Sequence, residues 1–143
     1  MNDLEIAKTQ LHRKELTLAI VKKGQVLFET NSHRISGFIG AIEKLGNILE
    51  GAAVADKVVG KAIALLCVYA GISNVYAEVL SEEAKAVFEE NRIRHERKEL
   101  VNNVLNLNKS GACPFEKLAA DISDPKEAYN KFKVLQEHLK TYR

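Results

Sequence analysis

The stretch "GAAVADKVVGKAIALL", residues 51–66, decides how the middle of the chain folds. Most of it is Ala, Val, Ile and Leu, the composition of an element that is buried on all sides. Asp56, Lys57 and Lys61 interrupt this apolar run, and Gly60 lies between the two lysines. We interpret residues 53–70 as one apolar helix that ends at Gly71, with these charges near its start.

Hydrophobic periodicity and turn residues predict the other elements. A helix over 2–14 precedes a hairpin over 16–30. Further predicted elements are a helix at 36–46 begun by Ser36, an apolar strand at 73–80, a helix at 82–91 begun by Ser81, a polar edge strand at 93–101, and helices at 113–122 and 124–140 begun by Cys113 and Asp124. The polar loop at 31–34 separates the hairpin from the next helix, and 102–109 receives no assignment.

This order of elements predicts an α/β protein. A hairpin followed by alternating strands and helices implies a mixed sheet covered by helices on both faces. The 143 residues are enough for one domain over 1–143.

Charge and hydropathy argue against several classes of partner. The formal net charge is +2, from 21 basic and 19 acidic residues, which does not indicate a nucleic acid or an anionic membrane. The basic stretch "RIRHERK" at 92–98 fits a charged edge strand and lacks ring-stacking residues. The N-terminal segment is too polar for a signal peptide, and no clean apolar run would span a bilayer. We expect a cytoplasmic protein.

Two motifs carry a family resemblance, "VADKVVGKAIALL" at 54–66 and "GACPFEKL" at 111–118. With them, the chain from Leu16 to Lys140 resembles the family called domain of unknown function 1893. The resemblance implies a cytidine-deaminase-like fold, which is a three-layer α/β/α domain with a mixed sheet. It implies no activity, because none comes with the family name.

Zinc deaminases provide a test of the chemistry. They place H-x-E or C-x-E at the start of the helix after the hairpin, and P-C-x-x-C at the start of the helix after the next strand. We place these positions at "AAVADKVVGK" and "VLSEEAK", which contain neither His nor Cys. Cys67 and Cys113 form no C-x-x-C pair. We therefore expect a deaminase-like scaffold without a metal or another cofactor.

The charges inside the 53–70 segment indicate a site. On a helix, Lys57 and Lys61 would be neighbours and would repel each other by about 0.2–0.5 kcal/mol. The helix dipole also disfavours cations there, and Gly60 weakens the helix. Because such conflicts are expected at functional sites, we infer a bound anion that Gly60 lets approach closely, with Asp56 exchanging protons. The alternative is that Lys57 pairs with Glu50 or another carboxylate, Lys61 is solvated, and Gly60 lets two helices pack.

Cys113 is a second candidate. It precedes Pro114 at a predicted helix start, where the dipole stabilises a thiolate and favours a nucleophile. Glu116 is expected to reach back to the backbone N–H of its own helix cap. The alternative is that Cys113 is a small buried hydrophobe, as we expect for Cys67. Ser36, Gly37 and Gly40 offer another helix start to a phosphate, although a flexible turn and helix packing explain them better.

The leading functional hypothesis is a pocket for a small anionic, nucleotide-like metabolite. We expect acid–base or thiol chemistry by Asp56 and Cys113 if there is turnover. The predicted ligand-binding residues are Lys57, Gly60, Lys61 and Glu116. The alternative is a non-catalytic sensor or interaction module, in which Tyr129, Phe132 and Leu135 form an exposed apolar strip and the chain is a homodimer.

Overall fold

Five strands and six helices make up the computed structural model, which describes residues 1–32, 35–104 and 113–141. The helices are α1 (Asp3–Arg13), α2 (Ser36–Leu45), α3 (Lys61–Ala70), α4 (Glu82–Glu90), α5 (Pro114–Ala119) and α6 (Pro125–Thr141). The strands are β1 (Leu18–Lys22), β2 (Gln25–Thr30), β3 (Ala53–Val59), β4 (Asn74–Ser81) and β5 (Arg94–Val101). A 3-10 helix, Gly46–Leu49, follows α2. No helix in these ranges combines the length and the apolar character needed to cross a membrane.

The strands form one mixed sheet in the order β2-β1-β3-β4-β5. β1 is antiparallel to both β2 and β3, whereas β3, β4 and β5 are parallel. The predicted mixed sheet is confirmed, and the polar strand β5 lies at its edge as expected. The predicted loop at 31–34 is described only as far as Ser32, and the unassigned segment only as far as Val104.

Helices cover both faces of the sheet, which confirms the three-layer α/β/α arrangement. Leu4, Ala7 and Leu11 of α1 pack on one face, against Ala19 of β1 and Tyr76 of β4 among others. The larger core lies on the other face and includes apolar residues of α2, α3, α4, α5 and α6. Asp56 of β3 and Leu18 of β1 are paired near the end of the sheet where β3 finishes.

The apolar strip that was predicted to be exposed on α6 is instead part of this larger core. Phe132 is completely buried, Tyr129 is buried, and Leu135 is half-buried against the same cluster. These side chains are spaced at helical intervals because α6 needs an apolar face toward α3. They therefore do not form an exposed apolar strip.

The prediction of one helix over 53–70 is wrong. Ala53–Val59 is strand β3, which pairs with β1 on one side and β4 on the other. Gly60 then has an extended backbone (φ −101°, ψ −173°) and precedes α3. A strand buried on both faces has the same unbroken apolar run as a buried helix, so periodicity does not separate the two. Gly71 ends α3 with φ +76°, as predicted.

The predicted helix caps have mixed outcomes. Ser81 accepts the Ala84 backbone N–H at 3.0 Å, which confirms it as the cap of α4. Asp124 likewise accepts from Glu127 at 3.1 Å at the start of α6. Ser36 does not cap α2, because it is the first helical residue and Ile35 occupies the cap position without a side-chain bond.

Candidate functional site

A partly open cavity of about 590 Å³ lies at the carboxyl end of β3. The start of β1 and the end of β2 form one wall, and the first residues of α2 and α3 form another. The first residues of α5 and the end of β3 complete it. Its volume lies within the range of small-molecule sites, and ligands of open α/β sheets commonly bind beyond the carboxyl ends of the strands.

The structure brings most of the predicted site residues to this cavity. The predicted residues that line it are Asp56, Lys57, Gly60, Cys113 and Glu116. Asp56 and Cys113, 57 positions apart in the sequence, therefore share one cavity. Lys61 is not among its lining residues.

The predicted lysine pair does not exist as a pair on one helix. Lys57 lies on strand β3, and Lys61 is the first residue of α3. The ammonium of Lys61 donates to the carbonyl oxygen of Ala120 at 3.0 Å, so it holds the end of α5 against α3. Successive side chains on a strand point to opposite faces, so Lys57 does not project from the same face as Asp56. The helix repulsion that suggested an anion between the lysines is therefore absent.

The Glu116 carboxyl contacts the start of α3. Its Oε1 accepts the backbone N–H of Ala62 at 2.8 Å, although the two residues are 54 positions apart. The prediction that Glu116 reaches back to its own helix cap is thus wrong. Burial raises the pKa of Glu116, and the charge of Glu83 raises it further. The backbone N–H of Ala62, and the backbone and charge of Lys61, act in the opposite direction and lower it.

Gly60 makes room for Glu116. A Cβ at Gly60 would overlap the Glu116 carboxylate and the side chain of Val104. The close approach predicted at this glycine therefore occurs, but a side chain of the protein, rather than a ligand or another backbone, makes it. The backbone angles of Gly60 are open to any residue, so space is the constraint here.

Asp56 is the buried ionisable group on the cavity wall. Its exposed fraction is 9%, and it lies in β3 between Leu18 of β1 and Ala77 of β4. Burial raises its pKa from 3.8 to about 7, against the opposing effect of hydrogen bonds from the backbones of Val58 and Lys57. A carboxyl with this pKa exchanges protons near neutral pH, as a general acid or base must.

The two cysteines differ in position. Cys113 is half-buried at the cap position of α5, makes no side-chain capping bond, and lines the cavity while also packing against the larger core. Cys67 is completely buried in α3, as predicted for a core residue. Burial raises the pKa of the Cys67 thiol, and the charge of Asp56 raises it further. Of the two thiols, only that of Cys113 lines the cavity.

Sequence reasoning missed one wall of the cavity, which carries hydroxyl groups. This hydroxyl wall consists of Thr17, just before β1, Thr30 of β2 and Ser32. The Thr17 hydroxyl lies 2.7 Å from the carbonyl oxygen of Ser32 and 3.1 Å from that of Thr30. Antiparallel pairing places this wall beside β3, where the Thr17 carbonyl accepts the Lys57 backbone N–H at 3.1 Å. No motif marks these residues, because their role depends on a pairing between segments about 40 residues apart.

The positions compared with zinc motifs must be corrected. The helix after the hairpin is α2, and the helix after the next strand is α3. The two segments compared with the zinc motifs, 52–61 and 79–85, therefore each lie one helix further along the chain than the correct position. The described first turns, 35–40 and 60–65, contain no His or Cys and do not fit a zinc site. Within 1–32, 35–104 and 113–141, no three His, Cys, Asp or Glu residues are grouped to hold a metal. His33 lies outside the described residues.

Gly60→Ala is expected to destabilise the protein by about 1–3 kcal/mol, because the added methyl group must displace Glu116 or Val104. Gly40→Ala is the matched control, since a Cβ there meets no atom within 4 Å and alanine favours helix α2. Urea unfolding of both variants measures the effect. A Gly60→Ala protein as stable as the wild type would contradict the packing described here.

Asp56→Asn is expected to reduce the dependence of stability on pH. In the folded protein the pKa of Asp56 is about 7, whereas the ordinary pKa of an aspartate, 3.8, applies to the unfolded chain. Between these two pH values the folded state therefore binds more protons than the unfolded state. Its contribution is therefore fully present below about pH 4 and is lost as the pH rises through 7. The difference between the two pKa values corresponds to about 4 kcal/mol.

Unfolding free energies of the wild type and Asp56→Asn between pH 4.5 and 8 measure this difference. Asp121→Asn, at an exposed position outside the cavity, is the control and should follow the wild type. Identical pH profiles for the wild type and Asp56→Asn would show that Asp56 has an ordinary pKa.

Comparison with known proteins agrees with the predicted family. Residues 6–139 match the family model described as TM1506, domain of unknown function (DUF1893). The crystal structure of the DUF1893 family protein TM1506 from Thermotoga maritima has a TM-score of 0.82 and 29% identity, covering 95% of this chain and 90% of that one. No curated protein matches the sequence.

Weaker similarities include proteins of the deaminase type that the family resemblance implies. The dCMP deaminase from cyanophage S-TIM5 has a TM-score of 0.48 and 12% identity, over 69% of this chain and 94% of that one. RibD from Acinetobacter baumannii has a TM-score of 0.48 and 18% identity, over 85% of this chain and 36% of that one. Neither activity nor site residues transfer at this level. The match over 6–139 shows that the chain belongs to the DUF1893 family.

Proposed function

We propose that this protein binds a small polar metabolite in the cavity at the end of β3, and that Asp56 exchanges a proton with it. The observation that carries the proposal is a carboxyl with an exposed fraction of 9% and a pKa of about 7 on the wall of an open cavity. Strongly perturbed groups in clefts are common at functional sites.

The position of Asp56 supports a role beyond stability. Apart from the exposed Lys57, the other residues of β3 are Ala and Val, and the residues paired with Asp56 are Leu18 and Ala77. Burying a carboxyl among such neighbours costs free energy that an apolar residue would not. Sequences retain such locally unfavourable residues mainly at functional sites.

The chemistry available is proton transfer beside a thiol. Near pH 7, Asp56 is present in both protonation states, so it accepts a proton from a ligand N–H or O–H and returns it. Cys113 lines the same cavity, which gives a nucleophile the same access to the ligand. Neither role requires a metal.

The start of α2 provides a place for an acidic group of the ligand. Gly37 and Phe38 line the cavity, and no side chain in the described residues caps this ten-residue helix. The backbone N–H groups of a helix start favour an anion. This position replaces Lys57 and Lys61, whose ammonium groups are not brought together.

A thermal-shift screen tests the proposal. The panel contains nucleosides, nucleotides, phosphorylated metabolites and simple amines, and the proteins are the wild type, Asp56→Asn and the control Asp121→Asn. A ligand at about 100 times its dissociation constant should stabilise the wild type and the control by roughly 2.7 kcal/mol. Asp56→Asn should give a smaller shift, because it cannot exchange the proton.

Incubation of a hit with each protein, followed by mass spectrometry, separates an enzyme from a sensor. Consumption of the ligand by the wild type and by Asp121→Asn, but not by Asp56→Asn, identifies acid–base catalysis. Binding without consumption identifies the non-catalytic alternative. A hit that all three proteins bind and consume equally would contradict the role of Asp56, and a panel without hits would contradict the ligand class.

A further inference from the structure

We propose that Asp56 and Glu116 form an acceptor wall that recognises a ligand by its hydrogen-bond donors, such as an amidine, a guanidine or an amino-substituted heterocycle. This inference rests on the proposed function, because it names the ligand class of the same cavity. Several hydrogen-bond donors around the cavity are already bonded within the protein, whereas the two carboxyls keep free acceptor sites.

Backbone donors beside the two carboxyls are already engaged. The Lys57 N–H donates to the Thr17 carbonyl at 3.1 Å, and the Val58 N–H donates to Asp56 Oδ1 at 3.3 Å. The Ala62 N–H at the start of α3 donates to Glu116 Oε1 at 2.8 Å. A ligand acceptor at these positions would have to displace a protein acceptor.

The hydroxyl wall is engaged in the same way. The single hydroxyl hydrogen of Thr17 points to backbone carbonyls, with Ser32 the nearer at 2.7 Å. The Thr30 hydroxyl lies 3.1 Å from the Ser32 hydroxyl and accepts the Ser32 backbone N–H at 3.0 Å. Ser32 is exposed at the rim. Deeper in the wall, Thr17 and Thr30 therefore present oxygen lone pairs more than hydrogens.

No nearby lysine forms a described ion pair with either carboxyl, although the charge of Lys61 lowers the pKa of Glu116. The Lys61 ammonium donates to Ala120 at 3.0 Å and is not part of the cavity lining. Lys57 follows Asp56 on the strand, lines the cavity and is exposed, and strand alternation directs its side chain away from the face of Asp56. The carboxyls consequently retain acceptor capacity that no described ion pair uses.

The remaining capacity is sufficient for a ligand. An ionised carboxylate offers about four lone-pair sites. The backbone N–H of Val58 donates to Asp56, and that of Ala62 donates to Glu116. Each carboxylate therefore keeps sites for further donors, and one cavity contains both. A planar group with several N–H donors satisfies both, whereas a carboxylate or phosphate at the same wall would meet like charge.

Benzamidine and benzoate are matched probes, because they have the same ring and size but carry an amidinium donor group and a carboxylate acceptor group. Titration of ¹⁵N-labelled protein at pH 8 and constant ionic strength follows the amide signals of Val58 and Ala62. Benzamidine is expected to shift both signals, with an affinity at least about tenfold above any effect of benzoate on them.

Variants test the wall itself. Asp56→Asn and Glu116→Gln keep the size of each side chain but replace an acceptor oxygen with an amide donor. Each variant should therefore weaken the binding of benzamidine by about tenfold. Asp121→Asn is the control and should bind as the wild type does. Because Glu116→Gln retains an oxygen for the Ala62 N–H, it tests charge without removing the contact at the start of α3.

Two results overturn the inference and differ in meaning. If benzoate shifts Val58 and Ala62 as tightly as benzamidine, or both variants bind benzamidine normally, the acceptor wall is rejected while the cavity remains a ligand site. If neither probe shifts any lining residue and the metabolite panel also has no hit, the proposed function fails as well.

Discussion

Burial of the Asp56 carboxyl between β1 and β4 constrains everything at the carboxyl end of the sheet. The backbone N–H of Val58 donates to it at 3.3 Å, and burial raises its pKa to about 7. The helices beyond β3 do not close over it, because α3 begins only after Gly60. The result is a cavity whose wall carries a buried ionisable group paired with apolar residues of β1 and β4.

Glu116 fixes the other side of the cavity. Its bond to the Ala62 N–H ties α5 to the start of α3, and the Lys61 ammonium makes a second tie to Ala120. Gly60 is required because any side chain there would occupy the place of the Glu116 carboxylate. Gly60, Lys61 and Glu116 thus make contacts within the protein, and the Glu116 carboxyl accepts a backbone N–H at the start of α3.

The fold was predictable where local chemistry determines it. The hairpin, the caps at Ser81 and Asp124, and the polar edge strand β5 follow from periodicity and side-chain type. The stretch 53–59 was misread because Ala and Val suit a buried helix and a buried strand equally, and only pairing with β1 and β4 decides between them. That error moved the zinc comparison by one element and created a lysine pair that the strand does not allow.

The candidate site was predictable as residue types more than as contacts. An acid in an apolar run and a cysteine at a helix start were visible as conflicts, and both line the cavity. That Glu116 reaches α3, and that Thr17 lies beside Lys57, depends on contacts between distant segments, which local patterns do not encode. The ligand class changed accordingly, from an anion between lysines to a molecule that presents donors to carboxyls.

The most direct measurement is a carbon-13 NMR titration of the Asp56 carboxyl in the folded protein, assigned by comparison with Asp56→Asn. The structure predicts a midpoint of about 7, caused by burial in the sheet. A midpoint near the ordinary value of 3.8 would mean that Asp56 is solvated and ionised at neutral pH, and would contradict its role as the proton-exchanging group of the cavity.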